Sequence, residues 1–237
     1  VTLQLQNIGV INQDSLVVNI RDSFVVTEKA DGTRTLMYIN GDGKIYLIDM
    51  LMRVMFTGAK TTNKANFNCL IDGELINKNK NGEYINLYAA FDIYFYDNKD
   101  TRTLTFMVPT DNKSGTKGRY KVLSDVVKTL DVVGVMGDKS LSPIRVTRKS
   151  FYPLKNGDIF DGCREILNKT FEYETDGLIF THTQFSVGSD KIGGKVSNFK
   201  STWRYSFKWK PPVYNTIDFL ITTVKGPNGD DVVKPFY

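Results

Sequence analysis

One histidine, two cysteines and seven prolines among 237 residues leave this chain poor in the side chains that soft-metal and disulfide chemistry need. With His182 as the lone imidazole, the sequence argues against a zinc enzyme and restricts any nucleophilic triad to one built on that residue. Cys69 and Cys163 show no metal-ligand spacing and are too few for a disulfide framework, so a reducing, intracellular setting is expected. No apolar run reaches the roughly 18–20 residues of a membrane span, and Val1-Thr2-Leu3-Gln4 lacks the basic and apolar regions of a signal peptide. A membrane partner is therefore not expected. The chain opens on Val1 rather than methionine, as a piece of a longer protein would.

What is present is a composition that folds. Hydrophobic residues at 41% and charged residues at 24% exclude wholesale disorder, and the length suits one large domain or two small ones. A net charge of +5 fits an anionic partner such as a nucleotide or RNA as readily as it fits an ordinary basic domain.

The first 110 residues read as strands: Phe24-Val25-Val26, Thr35 to Ile39, Lys44 to Ile48, Cys69-Leu70-Ile71 and Leu87 to Phe91 are β-branched, aromatic or apolar runs separated by turn formers. Asn40-Gly41-Asp42-Gly43 between two such runs predicts a hairpin. Helical spacing then appears twice, in Tyr120, Leu123, Val126, Val127 and Leu130 and in Ile159, Cys163, Ile166 and Leu167. Strands resume at Gly177 to Phe180, Tyr205 to Trp209 and Ile217 to Ile221. The order predicts an α+β chain without regular βαβ alternation. Residues 110–118 and 186–201 read as polar loops, the second basic and glycine-rich, either a solvated connection or a lid over a polyphosphate.

The densest chemistry lies in Lys29-Ala30-Asp31-Gly32-Thr33-Arg34, between two strand-like runs. A lysine at a strand end with an arginine beyond a tight turn presents an amine and a guanidinium to one phosphorylated ligand, although a solvated hairpin reads the same way. Fixing four residue types at four positions occurs by chance about once in 10⁵ starts. Its company is what distinguishes it. Asp72-Gly73-Glu74 follows an apolar strand and places two carboxylates on one face, a pattern suited to a hard cation. Phe91-Asp92-Ile93-Tyr94-Phe95 offers an edge aromatic for stacking on a base. Asp176 stands before the apolar run Gly177-Leu178-Ile179-Phe180, and Lys208-Trp209-Lys210-Pro211 sets two ammonium groups on one face, where a polyanion would neutralise them.

In that order these segments resemble motifs I, III, IIIa, IV and V of the covalent nucleotidyltransferases, the superfamily of mRNA capping guanylyltransferases and polynucleotide ligases. The likeness runs from residue 29 to residue 211. Asp176 before Gly177, Lys208-Trp209-Lys210-Pro211 followed by Asn215-Thr216-Ile217-Asp218-Phe219, and Arg148-Lys149-Ser150-Phe151 are similar to the capping branch, and the overall pattern resembles a module of a multifunctional capping enzyme from a large DNA virus. Motif VI and the OB-fold domain that follows it in that family have no counterpart before Tyr237, so residues 1–237 are expected to form the nucleotidyltransferase catalytic domain alone.

The resemblance implies an α+β nucleotidyltransferase fold with antiparallel-rich sheets flanked by helices. It implies that Lys29 attacks the α-phosphorus of GTP, that pyrophosphate leaves, and that a diphosphate-ended RNA takes the GMP as its cap. A free lysine has a pKa of about 10.4, so the reactive amine needs neighbouring positive charge, which Arg34, Lys208, Lys210 and a bound Mg²⁺ or Mn²⁺ would supply. By the same likeness Lys208 and Lys210 are catalytic, Glu74 and Asp176 hold the metal, Arg34 and Glu74 touch the ribose, Phe91 stacks on guanine, Lys149 reads its O6, and Asp218 sits near the phosphates. Implied partners are GTP, 5′-diphosphate RNA and further capping domains of the same polypeptide (triphosphatase, OB-fold, methyltransferase); the implied location is intracellular, in host cytoplasm or virion if viral. An ATP-dependent RNA or DNA ligase module using the same lysine is the alternative, and a catalytically silent RNA-binding module is the third.

Overall fold

The computed structural model describes residues 1–11, 14–108, 115–136, 142–154, 158–196, 202–214 and 221–235. In chain order its strands are β1 (Phe24–Ala30), β2 (Thr33–Ile39), β3 (Lys44–Ile48), β4 (Val54–Thr61), β5 (Cys69–Lys78), β6 (Tyr84–Tyr96) and β7 (Lys99–Asp100). Helix α1 (Arg119–Thr129) follows, then β8 (Val132–Gly134), β9 (Arg145–Arg148), β10 (Tyr152–Pro153), helix α2 (Phe160–Asn168), β11 (Thr175–His182), β12 (Ser206–Trp209), β13 (Ile221–Lys225) and β14 (Asp231–Pro235).

These strands make two principal sheets. The larger runs β7-β6-β5-β2-β3-β4-β8, with β9 added parallel to β6; the smaller runs β10-β1-β11-β12. A separate hairpin pairs β13 with β14. The α+β reading holds, and almost all pairings are antiparallel. The Asn40 to Gly43 hairpin forms as its residues dictate: the Asn40 side-chain oxygen accepts from the Asp42 and Lys44 amides at 3.0 and 2.8 Å. Both helices lie where the 3.6-residue spacing puts them. Of the strand run 217–221, only Ile221 falls within the described residues.

Alternation sorts the larger sheet into two faces. Met37, Ile39, Ile45, Leu47 and Ile71 point inward, where α1 covers them with Val122, Leu123 and Val126. Each such fully buried aliphatic contributes about 1.5–3 kcal/mol. A second core gathers Phe24, Val26, Leu178, Phe180 and Phe207 of the smaller sheet against Cys163 and Ile166 of α2. Both cysteines are buried and unpaired.

The chain passes from one sheet to the other between β1 and β2, through Asp31 and Gly32. Lys29 therefore lies one residue before the end of its strand in one sheet and Arg34 one residue past the start of its strand in the other. The loop around residue 186 is less free than its composition predicts: Ser186 is fully buried, its hydroxyl donating to the Thr103 carbonyl at 2.8 Å, and the Trp203 indole donates to the Ser189 carbonyl at 2.7 Å.

Candidate active site

Lys29 follows a buried stretch of β1, and its amine emerges opposite β11. Lys29 Nζ donates to Asp176 Oδ1 at 2.6 Å, and Lys210 Nζ lies 2.6 Å from Asp176 Oδ2. One carboxylate thus holds two ammonium groups. Burial pushes the Asp176 carboxyl upward in pKa, but the hydrogen bonds from Lys210 and Lys29 outweigh it and leave it below the usual range. The Asp176 hydrogen bond raises Lys210 in turn. Glycine at 177 is required here: its φ is +148°, and a Cβ would lie 1.9 Å from the Trp209 carbonyl oxygen.

From the larger sheet come Arg34, Asp72 and Glu74. Arg34 donates to both Asp72 oxygens, Nε at 3.2 Å and Nη2 at 2.6 Å, and the Tyr94 hydroxyl donates to Asp72 Oδ2 as well. That network holds the Arg34 guanidinium firmly charged. It also corrects one expectation. Asp72 and Glu74 do share a face of β5, but Asp72 is fully buried and committed to Arg34 and Tyr94, so the two do not form a free carboxylate pair. The glycine between them answers to packing, since a Cβ on Gly73 would meet the Tyr88 ring at 2.5 Å.

Glu74 is half-buried and makes no hydrogen bond or ion pair among the described residues. Burial raises its pKa, the nearby charges of Lys149 and Lys29 lower it, Asp72 raises it and Arg34 lowers it, and the net direction is upward. An unpartnered carboxylate ringed by three cations marks the meeting point of the two sheets.

Lys149 immediately follows β9, whose parallel pairing on β6 sets Arg148 beside Ala90; the Lys149 amide then donates to the Ala90 carbonyl at 2.8 Å. Its Nζ is buried, donates to the Glu28 carbonyl at 2.5 Å, and sits 6.0 Å from the Phe91 ring centroid. The structure therefore brings Lys149 and Phe91 together. Burial lowers the Lys149 pKa against the opposing pull of Glu28 and Glu74.

Lys208 is placed differently from Lys210. Its register opposite Ile179, itself opposite Thr27, puts it on the Lys29 side of the smaller sheet, yet it is exposed and carries no ion pair among the described residues. Asp218 and the segment 215–219 lie outside the described residues.

Three participants escape a reading by motif: Glu28, Tyr94 and Tyr173. Glu28 is buried, accepting from the Thr27 hydroxyl at 2.7 Å and the Tyr173 hydroxyl at 2.9 Å. Its signal was a charged residue at an inward position of an apolar strand, which demands a partner. Tyr94 and Tyr173 gave none, because an aromatic in or beside a strand reads as core.

Residues 11–211 match the family model described as mRNA capping enzyme, catalytic domain. The chain belongs to that family. It is 25% identical over 272 residues to a probable mRNA-capping enzyme of Acanthamoeba polyphaga mimivirus, covering 98% of this chain and 22% of that protein. The mRNA-capping enzyme of Danio rerio is 26% identical over 215 residues (86% of this chain, 32% of that protein). That of African swine fever virus, strain Badajoz 1971 Vero-adapted, is 27% identical over 203 residues (84% and 18%). This catalytic-domain relative thus spans at most 32% of the length of these capping enzymes. Among solved structures, mycobacterial DNA ligase D complexed with ATP and MES aligns with a TM-score of 0.43 at 14% identity, covering 79% of this chain and 54% of that one.

Proposed function

We propose that this chain is the guanylyltransferase module of an mRNA capping enzyme, transferring GMP from GTP through Lys29 to the 5′-diphosphate end of RNA. The observation that carries the reading is the shared carboxylate of Asp176, with Lys29 Nζ on one oxygen and Lys210 Nζ on the other, each at 2.6 Å. Such a knot keeps a nucleophilic amine and a phosphate-neutralising ammonium within one reach.

In this reading Lys29 leaves Asp176 and gives a proton to solvent water, its lone pair forms the N–P bond to the α-phosphorus as the bond to pyrophosphate breaks, and a second proton passes from the nitrogen to water to leave the phosphoramidate. Lys210, on the same aspartate, and Lys208, exposed on the same side of the sheet, neutralise the transferring phosphoryl group and the leaving pyrophosphate, the dominant catalytic need in phosphoryl transfer. Arg34, locked by Asp72 and Tyr94, and Glu74 take the ribose. Phe91 stacks on guanine and Lys149 donates to O6, an acceptor that adenine lacks. An oxygen of the RNA 5′-diphosphate then attacks the same phosphorus and Lys29 leaves as the amine. Asp218 is assigned to the phosphates by resemblance alone.

For a hard divalent ion, Glu74 offers a carboxylate with no hydrogen bond or ion pair among the described residues, of the kind Mg²⁺ or Mn²⁺ takes beside substrate phosphates and water, whereas Asp176 would have to release Lys29 or Lys210 to offer a second. Bound there, the ion would add positive charge at the α-phosphate. The chain spans 22% and 18% of two capping relatives, which leaves room in such a polypeptide for further domains; triphosphatase, OB-fold and methyltransferase neighbours are assigned by resemblance alone.

A mass spectrum after mixing with GTP and Mg²⁺, and in parallel with ATP and Mg²⁺, tests the reading. A GMP-sized increment absent from Lys29→Ala is expected. An AMP-sized increment instead would make the chain a ligase-type module, and an undiminished adduct on Lys29→Ala would remove the nucleophile assignment.

A further inference from the structure

The face of the larger sheet turned away from α1 carries a row of rings that the nucleotide chemistry does not use. Register aligns Phe56 of β4 with Tyr46 of β3, Tyr46 with Tyr38 of β2, Tyr38 with Leu70 of β5, and Leu70 with Phe95 of β6. Directly opposed residues of antiparallel strands share a face, with Cβ atoms about 4.5–5.5 Å apart, so the row crosses five strands. None of its members packs into the core under α1, to which their strand neighbours Met37, Ile39 and Ile45 belong. Phe56 is 44% exposed, Tyr38 37% and Phe95 37%, and the Phe56 and Tyr46 rings lie 5.3 Å apart.

Charge and continuity together name an occupant. At one end of the row Lys44 stands directly opposite Lys60, and neither has an ion pair among the described residues. Like charges so placed repel unless an anion lies between them. In the other direction β2 leads from the row to the proposed ribose site: alternation puts Arg34, Leu36 and Tyr38 on one face, and four residues at about 3.3–3.4 Å each set Tyr38 roughly 13 Å from Arg34. Stackable rings, unpaired lysines and a path from the reacting centre match single-stranded nucleic acid, whose bases all offer a π-face and whose backbone is anionic.

We propose that this face is the platform for the 5′-terminal segment of the acceptor RNA. Bases stack on Tyr38, Tyr46 and Phe56, and Lys44 and Lys60 take backbone phosphates. The proposal rests on the reading of the chain as a capping guanylyltransferase, and it explains how an acceptor can be held without regard to its sequence.

The test measures two things separately on the 237-residue chain: binding of a fluorescent 5′-diphosphate oligoribonucleotide, and formation of the GMP adduct with no RNA present. Tyr38→Ala and Phe56→Ala should each weaken RNA binding about tenfold. Lys44→Ala with Lys60→Ala should weaken it and flatten the salt dependence by a slope of about 1.4. None of the four side chains belongs to a core cluster, so adduct formation and the melting temperature should stay at wild-type values. RNA affinity unchanged in both ring variants overturns the platform. So does self-association of the chain that the ring substitutions abolish while RNA binding is untouched, since that makes the face a protein interface. Ring-dependent RNA binding by a chain that forms no nucleotide adduct keeps the platform and removes the transferase reading, so the two failures are distinguishable.

Discussion

Lys149 Nζ, just past the end of β9, reaches the Glu28 main-chain carbonyl of β1 at 2.5 Å and lies 3.5 Å from the Glu28 carboxylate, with side chains only 5% and 3% exposed. The residue before the proposed nucleophile and the residue proposed to read the base are thereby one buried pair. Removing Glu28 leaves the Lys149 charge buried with only a carbonyl to meet it, and breaking such a pair costs about 3–5 kcal/mol. Glu28→Ala should lower the denaturant midpoint accordingly. Lys149→Met should cost less, because Thr27 and Tyr173 still satisfy Glu28, but its preference for GTP over ATP in adduct formation should fall.

Asp176→Asn leaves one neutral amide between Lys29 and Lys210. The rate of lysyl-GMP formation should fall on the order of 10²-fold, the scale of losing one preorganised electrostatic group. Lys210→Ala should fall comparably. Single-turnover labelling with GTP checks both, and wild-type rates would show the shared carboxylate to be structural.

Tyr94→Phe removes one hydroxyl from Asp72, and Asp72→Ala removes the anchor of Arg34. If Arg34 holds the ribose, Asp72→Ala should raise the KM for GTP roughly tenfold or more, consistent with loss of a charged hydrogen bond. Tyr94→Phe should move KM in the same direction by less. A change in kcat alone would place Arg34 elsewhere in the reaction.

Gly177→Ala forces a Cβ against the Trp209 carbonyl at a backbone angle side chains avoid. A loss of about 2–4 kcal/mol is expected from the sum of strain and overpacking, visible as a lower melting temperature.

Asp131, between α1 and β8, supplies a pH-dependent element. Burial raises its pKa, but the hydroxyls of Thr61 and Thr62 and the amides of Thr62 and Asn63 outweigh it, and the carboxyl is held down at about 2. A folded value below the unfolded one, about 3.9, means the stabilisation is full above pH 4 and is lost as pH falls toward 2. Asp131→Ala should therefore lower the urea midpoint at pH 7, with the deficit closing by pH 2.

Much of this was legible because the signals are local. Asn40 to Gly43 carries its own turn geometry, and the helices announce themselves by spacing. Lys29, Arg34, Asp176 and Lys210 sit in short segments whose residue types already imply a phosphorylated ligand. What was not legible depends on contacts distant in sequence. Lys149 meets Glu28 only because β9 adds parallel to β6, and nothing near residue 149 records that pairing. Asp72 looked free because its captors, Arg34 and Tyr94, come from the two strands on either side. Val54-Met55-Phe56 on β4 shows no alternation, so neither that strand nor the ring row it completes was visible before the register was known.

The passage between the two sheets at Asp31 and Gly32 also fixes a leash. Whatever the two sheets do relative to one another, Lys29 and Arg34 are five residues apart, a contour of about 17 Å when drawn straight. In the proposed reaction, a sugar gripped by Arg34 would keep its phosphorus on a short line from Lys29.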